Sequence, residues 1–142
     1  MQLSKKQGFT LVELLIVIVI LAILVTLAVP YYGKSAMKAR REAAADMLLK
    51  AATLQEQRFF TTQSYTSDTS LLGGPNSKKD YYTLAVTFPG GDATAGYTMT
   101  ATVNGGEGQA NDTECTTFTI THTQQVSVTN GSDDTTELCW PY

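Results

Sequence analysis

The chain has 142 residues, with 10 Lys and Arg against 13 Asp and Glu and a net charge of −3. That length fits one domain with appendages, and that balance argues against a nucleic-acid binder working through bulk charge, the more so if Lys5 and Lys6 leave with a leader. With His122 as the only histidine and no CxxC, a zinc site is not expected.

Residues 9–29 form the only long apolar run. As a helix at about 1.5 Å per residue they would span roughly 31 Å, close to the hydrocarbon thickness of a bilayer. Thr10 and Thr26 can bond back to their own helix, which leaves Glu13 as the one costly residue. A carboxylate inside a membrane costs about 2.5–3.5 kcal/mol by insertion scales and usually has a partner. Three plainer readings stay open: Glu13 snorkels to the headgroups, the segment is an uncleaved anchor, or an ordinary signal is cut after Ala28. Basic residues flank both sides of the run, so charge alone does not fix its orientation.

Pro30 removes one helical hydrogen bond and crowds the carbonyl of Thr26, and Gly33 adds a second weak point, so a kink near 26–33 is expected. From Lys34 to Phe60 the pattern is amphipathic. Met37, Ala44, Leu48, Ala51 and Phe59 recur at helical spacing, with Gln55 the polar exception. Lys38–Glu42 and Asp46–Lys50 stand four apart and would support the helix mildly. Lys34, Lys38, Arg40 and Arg41 read as a solvated or intersubunit-paired face, or as a site for anionic lipid or DNA.

Residues 61–79 are turn-rich and read as a connecting loop held to the core by Leu71 and Leu72. Alternation predicts strands over 81–88, 97–103, 116–123 and 124–130, with His122 continuing the face of Phe118 and Ile120. Cys115 and Cys139 suggest a disulfide in an oxidising compartment, with two buried free thiols as the alternative. Trp140 is expected beside them. Asp112, Glu114, Asp133, Asp134 and Glu137 read as solvated loop charge, a calcium site being the weaker option because no EF-hand spacing is present. Asn111-Asp112-Thr113 and Asn130-Gly131-Ser132 are formal glycosylation sequons of little weight here. There is no P-loop, GxGxxG, HExxH or usable Ser/His/Asp set. No enzymatic activity, cofactor or metal is expected.

Gly8-Phe9-Thr10-Leu11-Val12-Glu13-Leu14, behind a short basic leader and ahead of a long apolar helix, resembles the class III signal of type IV pilins and their relatives. The tail at Cys139-Trp140 is similar to pilins often called PilE-like. The resemblance implies that a prepilin peptidase cuts between Gly8 and Phe9 and methylates the new amine of Phe9. It implies a single-pass inner-membrane pool, held in lipid with the C-terminal domain in the periplasm. An assembly platform with its ATPase would then move the subunit into an extracellular helical filament of its own copies or other pilins. The amine of one Phe9 would pair with Glu13 of a neighbour, since two charges in an apolar core are tolerable only together.

The expected organisation is a leader over 1–8, a membrane or filament-core helix over 9–30, and an amphipathic helix half over 31–60. A loop over 61–80 leads to an antiparallel sheet with a disulfide-bounded region over 81–142. The expected fold is α+β: a long N-terminal helix packed on three or four antiparallel strands, the ladle-shaped pilin fold. The leading functional reading is a structural pilin of a type IV pilus. The alternatives are a minor or competence pilin that binds DNA or surfaces, a type II secretion pseudopilin, and a membrane-anchored periplasmic binding domain. DNA remains a possible partner that net charge does not favour.

Overall fold

The structure, a computed structural model, describes residues 9–106 and 109–142, and the side chains of 29–31 fall outside the description. Gly8, one half of the expected cut site, lies outside the described residues. Two compact units divide the chain, Met1–Ala36 and Met37–Tyr142. The helix α1 (Leu11–Thr62) contributes to both.

In the first unit, Thr10 caps α1: its Oγ1 accepts from the Glu13 N–H at 3.3 Å, satisfying one of the free donors of the first turn. Every described side chain from Leu11 to Ala28 is exposed. An 18-residue window there has a mean hydropathy of 3.2, long and apolar enough to cross a membrane. α1 runs through Pro30 and Gly33 without interruption, and the Pro30 side chain lies outside the described residues.

In the second unit, α1 lays Ala44, Leu48, Ala51 and Ala52 against a four-stranded antiparallel sheet. The strands are β1 (Tyr82–Thr87), β2 (Thr98–Val103), β3 (Thr117–Thr121) and β4 (Val126–Thr129), in the order β1-β2-β3-β4. Three alanines on α1 let the helix approach closely, and Leu48 fills the middle, worth about 2 kcal/mol of apolar burial. The sheet answers with Tyr82, Leu84, Met99, Ala101, Phe118, Ile120 and Val128.

Alternation places the other residue of each pair on the outer face. There the register aligns Thr83, Thr102, Thr117 and Thr129 in one row, and Ala85, Thr100, Thr119 and Ser127 in the next. Thr87, Thr98 and Thr121 make a third.

Each sheet edge is partly covered, which hinders strand addition there. Residues 75–77 cover β1 through Leu84 N–H to the Pro75 carbonyl and Ser77 N–H to the Tyr82 carbonyl. On β4, the Val128 carbonyl accepts from Thr135 N–H, and Val128 N–H donates to Thr136 Oγ1. A disulfide joins Cys115 to Cys139, which ends the short helix α2 (Thr136–Cys139). Trp140 packs by Phe118, ring centres 6.2 Å apart.

Some boundaries differ from expectation. The third strand stops at Thr121, and His122 stands exposed in the turn rather than on the buried face, its ring over Gly96. A Cβ at Gly96 would collide with that ring, and φ there is +142°, a conformation glycine adopts freely. In the connecting loop Leu72 is buried and Leu71 is exposed.

Candidate functional site

The first candidate group is Phe9 with Glu13. Both are exposed, and Glu13 joins no ion pair among the described residues. Its backbone is used by the Thr10 cap, while its carboxylate stays available.

The second region begins at Arg41. Arg41 Nε donates to Asp112 Oδ2 at 2.7 Å and Nη2 to Oδ1 at 2.8 Å. This is a two-pronged pair whose side chains are 14% and 1% exposed. Two donors join Arg41 on the carboxylate. Gln109 Nε2 donates to Oδ2 at 2.9 Å and Cys115 N–H to Oδ1 at 3.3 Å. Gln109 also donates to the Tyr82 hydroxyl at 2.9 Å. Burial, and then the Asp112 charge, raise the Tyr82 phenol well above its usual range.

Two expectations are thereby corrected. Asp112 is a buried structural anion, not solvated loop charge or a calcium ligand, because its carboxylate is the counter-charge of Arg41 on α1. Arg41 in turn is withdrawn from the basic face. The Lys38–Glu42 and Asp46–Lys50 ion pairs are absent among the described residues. Asp46 instead accepts from the Tyr142 hydroxyl at 2.7 Å.

Gln55, the polar exception on the packed face, clasps the loop. Its amide donates to the Thr66 carbonyl at 2.6 Å and accepts from Thr66 N–H at 2.9 Å.

Beside Arg41 a cationic corner forms. The Arg40 guanidinium lies over the Tyr81 ring, 4.9 Å from its centre, a cation–π contact. Tyr81 follows a single 3₁₀ turn, Lys78–Asp80, in which Lys79 and Asp80 take φ of 60° and 54°. Lysine pays roughly 1–2 kcal/mol for the left-handed region, which aspartate enters more readily. Such strain persists where the surroundings impose it, and it clusters at functional sites. Here Ser77 imposes it: its N–H donates to the Tyr82 carbonyl, its carbonyl accepts from Asp80 N–H, and its hydroxyl accepts from Tyr82 N–H at 2.9 Å. Tyr82 is itself fixed by Gln109. Lys78 and Lys79 are exposed, and neither they, Arg40 nor Lys38 pair with an acid among the described residues. The arrangement is a rigid, strained turn presenting cations beside an aromatic ring, suited to holding an anion.

Lys78 also lines a cleft with Ala39, Glu42, Met47, Lys50 and Asn76. No group of acids, histidine and cysteines among the described residues is arranged to hold a metal ion. Sequence reasoning missed the corner because nothing in Lys78-Lys79-Asp80-Tyr81 announces that Arg40, on a distant helix, stacks on it.

Two family matches cover most of the chain. Residues 30–119 match the family described as type IV minor pilin ComP, DNA uptake sequence receptor. Residues 3–29 match the prokaryotic N-terminal methylation motif. No curated protein matches the chain.

Proposed function

The chain belongs to the family of type IV minor pilin ComP, DNA uptake sequence receptor, and from that premise we propose that it is a minor pilin whose head binds DNA at the cationic corner of Arg40, Lys78, Lys79 and Tyr81. The observation that carries this reading is the Arg40–Tyr81 stack, which joins the helix cation to two lysines that pair with no acid among the described residues, on a turn held in strain. Phosphate contacts of this kind position a protein on DNA and supply salt-dependent affinity.

The N-terminal segment supports the delivery half of the function. The methylation motif and the exposed apolar helix favour a pilin anchored in the inner membrane before it enters a pilus. In this reading prepilin peptidase cuts between Gly8 and Phe9 and methylates Phe9, whose amine then pairs with Glu13 of a neighbouring pilin. Pro30 and Gly33 remain the proposed place for that helix to yield. The family match favours the minor-pilin role over the secretion pseudopilin and over a bulk structural subunit.

The test is DNA affinity of the full chain in detergent, measured across a range of salt. Each phosphate contact contributes a slope of about −0.9 in log K against log salt. The Lys78→Ala, Lys79→Ala double variant should therefore lower the magnitude of the slope by about 1.8. An unchanged slope would move the DNA contact away from this corner.

A further inference from the structure

The outer face of the sheet is chemically uniform in a way the DNA reading does not use. Every outward strand position from Thr83 to Thr129 is threonine or serine except Ala85. None carries charge, although the chain has 23 ionisable acids and bases of the Asp, Glu, Lys and Arg types, 16% of its residues. Threonine has a high strand propensity and lysine and glutamate are mildly depleted in strands, but a mild depletion does not empty all 11 outward positions of charge. Among the described residues, most hydroxyls of the three rows have no partner, and Thr87 and Thr121 are the ones that donate or accept side-chain bonds.

We propose that this face binds a neutral polysaccharide, as a second recognition surface of the head. Charge selects the ligand class. With no cation on the face, phosphate and anionic lipid gain no charge-assisted contact there. A neutral chain of hydroxyls and C–H faces meets its complement in side chains that each offer one hydroxyl and one methyl. One neutral hydrogen bond contributes little net free energy, so useful affinity needs a ligand that repeats its groups across several rows.

The rows supply that repeat, because strands stand about 4.7–4.9 Å apart, close to the length of one sugar unit in an extended glycan. Neighbouring strands also turn by about 20–25°. A single glycan chain follows that turn by rotating its glycosidic bonds, whereas a flat crystalline surface does not. Restricted χ1 freedom in threonine keeps the ordering cost of the face low. The face is held from behind by the buried core and at both edges by the contacts of residues 75–77 and 135–136.

The experiment uses the full chain in a detergent without a sugar headgroup, titrated with linear neutral β-linked hexasaccharides and, in parallel, with a polyuronate of equal length. The expected result is binding of a neutral oligosaccharide that is insensitive to salt and absent for the polyuronate. Thr100→Val with Thr119→Val keeps side-chain shape and strand propensity at the centre of the face. It should weaken glycan binding about fivefold or more while leaving thermal stability and DNA affinity unchanged. Thr53→Val, a hydroxyl on the helix, should leave glycan affinity unaltered. Three results overturn the proposal: no neutral glycan bound at millimolar concentration, equal binding by the valine variant, or a change of oligomeric state in that variant without any glycan effect. The last would make the face a contact between copies of the chain.

Discussion

Replacing Asp112 by Asn tests how the head is held together. The wild-type carboxylate takes two bonds from Arg41, one from Gln109 and one from the Cys115 N–H. Asparagine keeps the shape but offers one acceptor oxygen, and its NH2 group faces donors. Arg41 would then be left nearly buried, with only Glu114 at 3.6 Å, on a side chain 64% exposed. Removing one partner of a buried pair costs about 3–5 kcal/mol. In a domain of roughly this size each kcal/mol moves Tm by about 4–8 °C, so a fall of at least 12 °C is expected in a thermal melt of the head's circular dichroism. Arg41→Met with Asp112→Leu should recover only part of the loss, because replacing the buried pair by apolar groups is close to neutral while the Cys115 N–H and one Gln109 N–H lose their acceptor. A drop under about 4 °C for Asp112→Asn would mean that the network is solvated and that Arg41 belongs to the exposed basic face after all.

Glu13→Ala should leave membrane insertion and peptidase processing intact while cutting incorporation into pili, scored by immunoblot of sheared filaments; normal incorporation would defeat the pairing of Phe9 with Glu13. Cys115→Ser with Cys139→Ser should destabilise the head by about 3–3.5 kcal/mol in urea melts, since the bridge closes a loop of 24 residues, and a loss below about 1 kcal/mol would assign the hold on the C-terminal region to the Thr135 and Thr136 contacts instead. Burial first, and then the charges of Asp112 and Glu56, raise the Tyr82 and Tyr97 phenols. Their contribution to stability is therefore full below the ordinary phenol range near pH 10 and is lost as pH rises through the native values. Ultraviolet titration should show these two of the 7 tyrosines ionising last, together with unfolding, and a smooth single titration of all the phenols would refute their burial.

What was legible in the sequence follows physical lines. Local periodicity carried α1, the four strands and the buried face of each, because period is a property of neighbours in the chain. The disulfide was legible because two cysteines allow only one pairing. His122 misled because alternation continues past the point where the hairpin must turn. The Arg41–Asp112 pair was not legible: its partners stand 71 positions apart, and each had a plausible local identity, one in a basic run and the other in an acidic loop. Gln55 did give a signal, a lone polar residue on an apolar face, and the structure supplies its reason in the Thr66 clasp. The left-handed turn gave no signal at Lys79 and only a weak one at Asp80, since aspartate tolerates that region and lysine does not favour it.

The charge count that argued against DNA measures the wrong distance. Potential at a contact is set by charges within about 8 Å at physiological salt. The acids Asp133 and Asp134 follow β4, three strand spacings of about 4.8 Å, roughly 14 Å in all, from the β1 corner. They count fully in the net charge and little at the corner. Asp80 is different, because it sits in the strained turn itself, next to Lys79. Asp80→Asn removes that local charge, and asparagine tolerates the left-handed backbone there, so the turn should persist. Removing one exposed like-signed obstacle to phosphate is worth up to about 1 kcal/mol, so DNA affinity at low salt should rise by up to about fivefold. Asp133→Asn changes net charge by the same amount and should leave affinity nearly constant. If both variants strengthen binding equally, the field of the whole head governs the interaction. The corner of Arg40, Lys78 and Lys79 then loses its claim to be the site.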